Sequence, residues 1–110
     1  MDKQLLLLIS LQELDIFRKE KKNEEKVGFE IDNIKKMKEA RAKIVSQLKD
    51  HIYRKYTRLI KRYGNAVVPV VNNACQGCYL VLPTQMISSD QLNESIVTCP
   101  NCGRILYWTD

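Results

Sequence analysis

The chain of 110 residues has a single histidine, a single tryptophan and three prolines, none of them before Pro69. These scarcities exclude several classes of protein. The longest apolar run, Leu5 to Ile9, is far short of the roughly 20 residues a membrane-spanning helix needs. Asp2 precedes that run, Gln12, Glu13 and Asp15 follow it, and no small-residue cleavage site accompanies it, so it does not read as a secretion signal. A cytoplasmic protein with no membrane partner is the expectation. With one histidine, no nucleophile and base pair, no phosphate loop and no carboxylate dyad, the sequence also predicts a protein that is not an enzyme.

What the chain does hold is concentrated near its end. Cys75, Cys78, Cys99 and Cys102 form two C-x-x-C pairs separated by residues 79–98, the spacing of a four-thiolate metal site. Each pair is too close for an unstrained structural disulfide, and a cytoplasmic chain keeps its thiols reduced. A redox-active C-x-x-C would sit in a thioredoxin-like βαβ context, which is not visible. Gly103 after Cys102 lets the backbone fold over a metal, Pro100 stiffens the second loop, and the first loop carries Gly77 just before Cys78. The expected cofactor is a structural zinc ion (Zn2+), with iron the alternative because sulfur ligands suit both. Four thiolates close the coordination shell and leave no position for water or substrate.

Charge divides the chain in two. Residues 1–64 hold 17 basic and 10 acidic residues, a net of +7, whereas residues 65–110 hold one basic and three acidic residues, a net of −2. The fold class expected is mostly α with a small β part: an antiparallel, coiled-coil-like helical hairpin over 1–64, turning near 26–29, followed by a zinc ribbon over 65–110. Apolar periodicity predicts one helix from about Asp2 to Glu25 and a second from about Glu30 to Tyr63, broken around Gly28, the only glycine before Gly64. Leu5, Leu7, Leu8, Leu11, Leu14 and Phe17 give the first helix an apolar stripe. The second helix is longer, so part of its apolar side is left to self-association, to a protein partner, or to the aliphatic stems of Lys38, Arg41 and Lys49.

The end of the second predicted helix carries a further signal. At about 100° per residue, Arg54, Lys55, Arg58, Lys61 and Arg62 fall within roughly 120° of arc, with His51 inside it, while Ile52, Tyr56, Leu59 and Tyr63 lie opposite. No acid occurs from His51 to Asn73. Such a face either stays solvated or takes up an anion, of which a nucleic-acid backbone, RNA or DNA, is the foremost candidate. The ribbon is assembled from Ala66–Val71, Tyr79–Leu82, Ile96–Thr98 and Arg104–Trp108, with Pro69 marking the first as an edge strand or extended linker. Tyr79, Tyr107 and Trp108 are expected to pack the small core beside the metal, with base stacking the secondary reading.

At these residues the chain resembles the bacterial C4-type zinc ribbon family, a domain of unknown function in which a helical hairpin precedes a C-terminal ribbon. Leu11-Gln12-Glu13-Leu14-Asp15 is similar to the family's opening helix and Tyr63-Gly64-Asn65-Ala66-Val67-Val68-Pro69-Val70 to its entry into the ribbon. Cys75-Gln76-Gly77-Cys78-Tyr79, Leu82-Pro83-Thr84-Gln85 and Cys99-Pro100-Asn101-Cys102-Gly103-Arg104-Ile105-Leu106-Tyr107-Trp108 follow its ribbon pattern, although the hairpin is shorter than is usual in the family. The resemblance implies a noncatalytic, regulatory bacterial protein that binds nucleic acid or protein partners, in a family with members linked to the flagellum and to type III secretion. It assigns the metal to Cys75, Cys78, Cys99 and Cys102. Two functions therefore stand from the sequence: nucleic-acid binding through Arg54, Lys55, Arg58, Lys61 and Arg62, or an adaptor role in which the hairpin, with Glu24, Glu25, Glu30 and Asp32 at its tip, docks onto a transcription or secretion component.

Overall fold

The computed structural model describes residues 1–24, 31–87 and 92–109. The elements run α1 (Lys3–Glu24), α2 (Ile31–Gln47), α3 (Asp50–Tyr63), β1 (Val67–Val71), β2 (Ala74–Cys75), α4 (Thr84–Ile87), β3 (Val97–Thr98) and β4 (Ile105–Trp108). The predicted turn at 26–29, together with Glu25 and Glu30, lies outside the described residues.

Helix α1 starts where Asp2 caps it: the Asp2 carboxylate accepts from Leu5 N at 3.1 Å and the Asp2 carbonyl from Leu6 N at 3.0 Å. Leu5, Leu8 and Leu11, spaced three apart, are fully buried. The predicted apolar stripe continues through half-buried Leu7 and Leu14 but gives out at Phe17, which is 47% exposed. Coverage by the sheet and α3 is deepest near the start of α1.

The single long second helix is not found. It breaks at Leu48-Lys49, and Lys49 is extended at φ −66°, ψ 142°. No proline or glycine marks the break. A long-range partner stabilises it instead, because the Gln4 side chain donates to Gln47 O at 3.0 Å and accepts from Lys49 N at 2.9 Å. The backbone groups freed by the break are thus satisfied, and Leu48 and Ile52, each 8% exposed, both turn inward. Helix α3 then ends at Gly64, whose φ of +85° is left-handed and whose N–H bonds Ile60 O at 2.8 Å.

The four strands form one sheet in the order β2-β1-β4-β3. β1 pairs with β2 antiparallel through the two-residue turn Asn72-Asn73, both at positive φ, the conformation a tight hairpin requires. β1 and β4 run parallel with Val67 opposite Ile105 and Val70 opposite Trp108, and β3 pairs β4 antiparallel. Two expectations are corrected here. Segment Tyr79–Leu82 forms only an isolated bridge, Val81 to Ala74, and the strand in that place is Ala74–Cys75. Pro69 lies in an interior strand rather than at an edge. Its carbonyl accepts from Gln76 N at 3.1 Å, on the side where β2 has already ended, so its missing N–H removes nothing from the β1–β4 ladder.

Alternation along the strands separates two cores. Val67 and Ile105 face the helices with Leu5, Leu8, Leu11, Leu48, Ile52, Tyr56 and Leu59; Val68, Val70 and Leu106 face the other way with Leu82, Cys75 and Cys99. Helices and ribbon are consequently joined through one sheet. Gln12 fixes the register: its Nε2 donates to Val67 O at 2.7 Å, and its Oε1 accepts from Ala66 N at 2.6 Å and Val67 N at 2.7 Å.

Candidate metal centre and basic helix face

The two cysteine loops are built alike. Cys75 N donates to Leu80 O and Tyr79 N to Cys75 O in the first, and Cys99 N donates to Arg104 O and Gly103 N to Cys99 O in the second. In each, the N–H two residues after the first cysteine points at its sulfur, Gly77 N to Cys75 Sγ and Asn101 N to Cys99 Sγ, both at 3.4 Å. The residue after the second cysteine is left-handed in both, Tyr79 at φ +64° and Gly103 at φ +80°.

The loops bring the four Sγ atoms within 4.8 Å of one another. Cys75 Sγ lies 3.8 Å from Cys102 Sγ, and Cys78 Sγ lies 3.7 Å from Cys99 Sγ. A tetrahedral zinc with Zn–S bonds of about 2.3 Å requires sulfurs about 3.8 Å apart, so the donor set fits one zinc ion in size as well as in chemistry. Cys75 and Cys99 are buried, Cys78 and Cys102 half-buried. Burial pushes the Cys75 thiol up to about 12, while hydrogen bonding from Asn101 and the Leu80 backbone brings Cys78 down to about 6. A zinc ion held by Cys75, Cys78, Cys99 and Cys102 would favour the thiolate at all four positions.

Arg104 joins this centre to the helices. Only 8% exposed, it places its guanidinium 3.9 Å from the centroid of the Tyr63 ring and donates from Nε to Asn65 Oδ1 at 2.8 Å. Its side chain passes so near Gly77 that a Cβ there would lie 2.5 Å from an Arg104 nitrogen. That close approach is the reason for glycine at 77, a reason the spacing of the cysteines does not reveal. Tyr63 OH in turn donates to Cys102 O at 3.1 Å.

On α3, Ile52, Tyr56 and Leu59 are buried and Tyr63 is half-buried, as the wheel predicts. Arg54, Arg58, Lys61, Arg62 and His51 are exposed, and Lys55 is half-buried. One refinement is needed: Asp50, just outside the acid-free stretch, pairs with Arg54 at 2.7 Å. Among the described residues no ion pair engages Lys55, Arg58, Lys61 or Arg62. Arg62 also lies over the Tyr63 ring, 5.2 Å from its centroid. Arg41, one of the residues whose stems were an alternative cover for the apolar stripe, pairs through its guanidinium with Asp15 at 2.8 Å, and Tyr56 OH donates to the same carboxylate at 2.7 Å. Asp15 raises the Arg41 pKa through that bond, and burial followed by the bond to Asp15 raises that of Tyr56. Of the three aromatics expected beside the metal only Trp108 packs there; Tyr107, one residue earlier on the strand, faces the helix-side core, and Tyr79 is 72% exposed.

Sequence reasoning missed Gln12, Asp15, Asn93 and Arg104. Asn93 bonds both backbone groups of Trp108, from Nδ2 to Trp108 O at 2.9 Å and from Trp108 N to Oδ1 at 2.7 Å, while its carbonyl accepts from Asp2 N. Polar side chains that serve distant partners leave no periodic trace.

Residues 74–106 match the family model of the C4-type zinc ribbon domain, which bears out the resemblance read from the sequence. The chain is similar to the HP0958 protein from Helicobacter pylori, at 29% identity over 70% of this chain and 36% of that one, with a TM-score of 0.54. It is similar also to CT398 from Chlamydia trachomatis, at 30% identity over 71% of this chain and 36% of that one, with a TM-score of 0.48. A protein from Mycobacterium smegmatis shares the fold at 22% identity over 67% of this chain and 32% of that one, with a TM-score of 0.51. The chain spans about a third of the length of these three structures. No curated protein matches it. Among the described residues no helix is long and apolar enough to cross a membrane.

Proposed function

We propose that this is a noncatalytic zinc-ribbon protein that binds nucleic acid through the outer face of α3. The observation that carries the reading is the placement of Arg58, Lys61 and Arg62. They are exposed, have no acidic partner among the described residues, and stand on a helix whose opposite side is locked into the core. A rigid row of unneutralised cations lowers the entropy cost of engaging successive phosphates and gains from releasing their counterions. The zinc centre holds the end of that helix in place through Tyr63 and Arg104.

Fluorescence anisotropy of zinc-loaded protein with single-stranded RNA and duplex DNA across a salt series tests this. Affinity should fall steeply with salt, with a log–log slope of about −3 for a single strand if four to five phosphates are engaged. The Arg54→Glu, Arg58→Glu, Lys61→Glu triple variant should lose binding while keeping its zinc. Binding that is indifferent to salt and to the reversal would refute the reading.

Exposure of Leu6 at 50% and Ile16 at 37% on α1 supports a second reading, docking of a protein on the helices or self-association there. Leu6→Asp would then abolish capture of the partner or dimer formation, and the triple reversal would leave it intact.

A further inference from the structure

Tyr79 has a conformation the fold does not reward. A tyrosine in the left-handed region is strained, because its Cβ crowds the adjacent carbonyl oxygen, and glycine is the residue that avoids this. The second cysteine loop has glycine in the corresponding place, with the same left-handed φ and the same hydrogen bond back to the first cysteine of its pair. The loop therefore needs no side chain there. Nor does the ring repay the strain by packing, since 72% of Tyr79 is exposed. Strain held in place at an exposed aromatic is an observation from which function is properly inferred.

A chain of contacts links the first cysteine loop to the end of α3. Arg62 lies over the Tyr63 ring, Arg104 lies over the same ring, and Arg104 abuts Gly77, two residues before Tyr79. The first cysteine loop thus adjoins the C-terminal end of the basic α3 face. Its own chemistry is different: no charged residue occurs between Tyr63 and Asp90, and Leu80 and Val81 beside the ring are 38% and 68% exposed. A cationic row passing into an uncharged aromatic and aliphatic surface matches a polymer with phosphates on one side and flat apolar rings on the other.

We propose that Tyr79 is a base-stacking residue, which takes an unpaired nucleobase of a single strand whose phosphates lie along Arg58, Lys61 and Arg62. This rests on the nucleic-acid reading above and deepens it, since a duplex has no free base face to offer. The backbone hydrogen bonds from Tyr79 N to Cys75 O at 2.7 Å and from Cys75 N to Leu80 O at 2.9 Å hold the ring ready before the strand arrives. Unpaired bases of RNA and of DNA present the same stacking face.

The test uses the zinc-loaded full chain with single-stranded oligoribonucleotides and oligodeoxyribonucleotides carrying 2-aminopurine, and with the duplex of the same sequence. Tyr79→Gly introduces the residue found in the second loop and should keep zinc content, with a melting temperature no lower than that of wild type; Tyr79→Asn, which also tolerates a left-handed backbone, is the second variant. Wild type should quench the probe in a single strand. Both variants should lose the quenching and about tenfold in single-strand affinity, with the salt slope and duplex affinity unchanged, and Tyr79→Phe should retain both properties. The polymer with the larger loss is the one whose base is taken. Undiminished affinity and quenching in the glycine and asparagine variants would overturn the stacking role while leaving salt-dependent binding through α3 intact. Failure of wild type to bind any of the polymers would overturn both readings.

Discussion

The two faces of the sheet are held by different means. On the helix face ten buried residues from α1, the break before α3, α3, the connection to β1, β1 and β4 pack without any ion. On the opposite face there are six, two of which are the metal ligands Cys75 and Cys99. A core that small cannot offset the entropy of ordering two loops, and the metal supplies what apolar area does not. The lesson is that zinc holds one side of a sheet whose other side belongs to the helices. β1 and β4 belong to both sides.

The largest expected effect comes from removing the ion. Chelation or Cys99→Ser should disorder both cysteine loops together with β2 and β3, the bound metal in such sites being worth on the order of 10 kcal/mol at neutral pH. Far-UV circular dichroism should keep most of its helical signal, because the helix-face core remains, while the near-UV signal from Trp108, which packs on the metal face, should fall. Acidification acts in the same direction, since protons compete with zinc for four thiolates.

A smaller effect is expected from the other face. Leu8→Ala, at a side chain with no exposed surface, should cost about 2–5 kcal/mol in urea unfolding while zinc stoichiometry stays at one per chain. Gln12→Ala leaves Ala66 N–H, Val67 N–H and Val67 C=O without their partner and should cost about 1–3 kcal/mol. If either variant released zinc at room temperature, the two faces would not be separable.

The smallest and most specific effect lies where the faces meet. Gly77→Ala places a methyl group 2.5 Å from an Arg104 nitrogen and should destabilise the protein, and the penalty should shrink in an Arg104→Ala background. An unchanged penalty in the double variant would locate the strain in the loop backbone rather than in the contact with Arg104.

The features visible in the sequence are those with a short-range signature. The cysteine spacing, the stripe Leu5, Leu8, Leu11 and the inward face Ile52, Tyr56, Leu59 each follow from local geometry. The β1–β2 hairpin was also open to reading, since Asn72-Asn73 is a pair suited to positive φ. The break at Lys49 was not, because the group that completes it, Gln4, is 45 residues away. Pro69 misled for a related reason: a proline excludes a ladder position only if a donor is needed there, and the end of β2 at Cys75 is a fact of topology. Residue type alone points Tyr79 into the core, and its exposure follows from a left-handed loop geometry that only its likeness to Gly103 makes apparent.

The most direct test of nucleic-acid binding through α3 and the first cysteine loop is an amide chemical-shift titration of the zinc-loaded protein with a short single-stranded oligonucleotide. Saturable shifts should cluster on Arg54 to Arg62 and on Gly77 to Val81, and leave α2 unperturbed. Shifts confined to α1 and α2, or none at low salt, would contradict the account and turn the search toward protein partners of the helices.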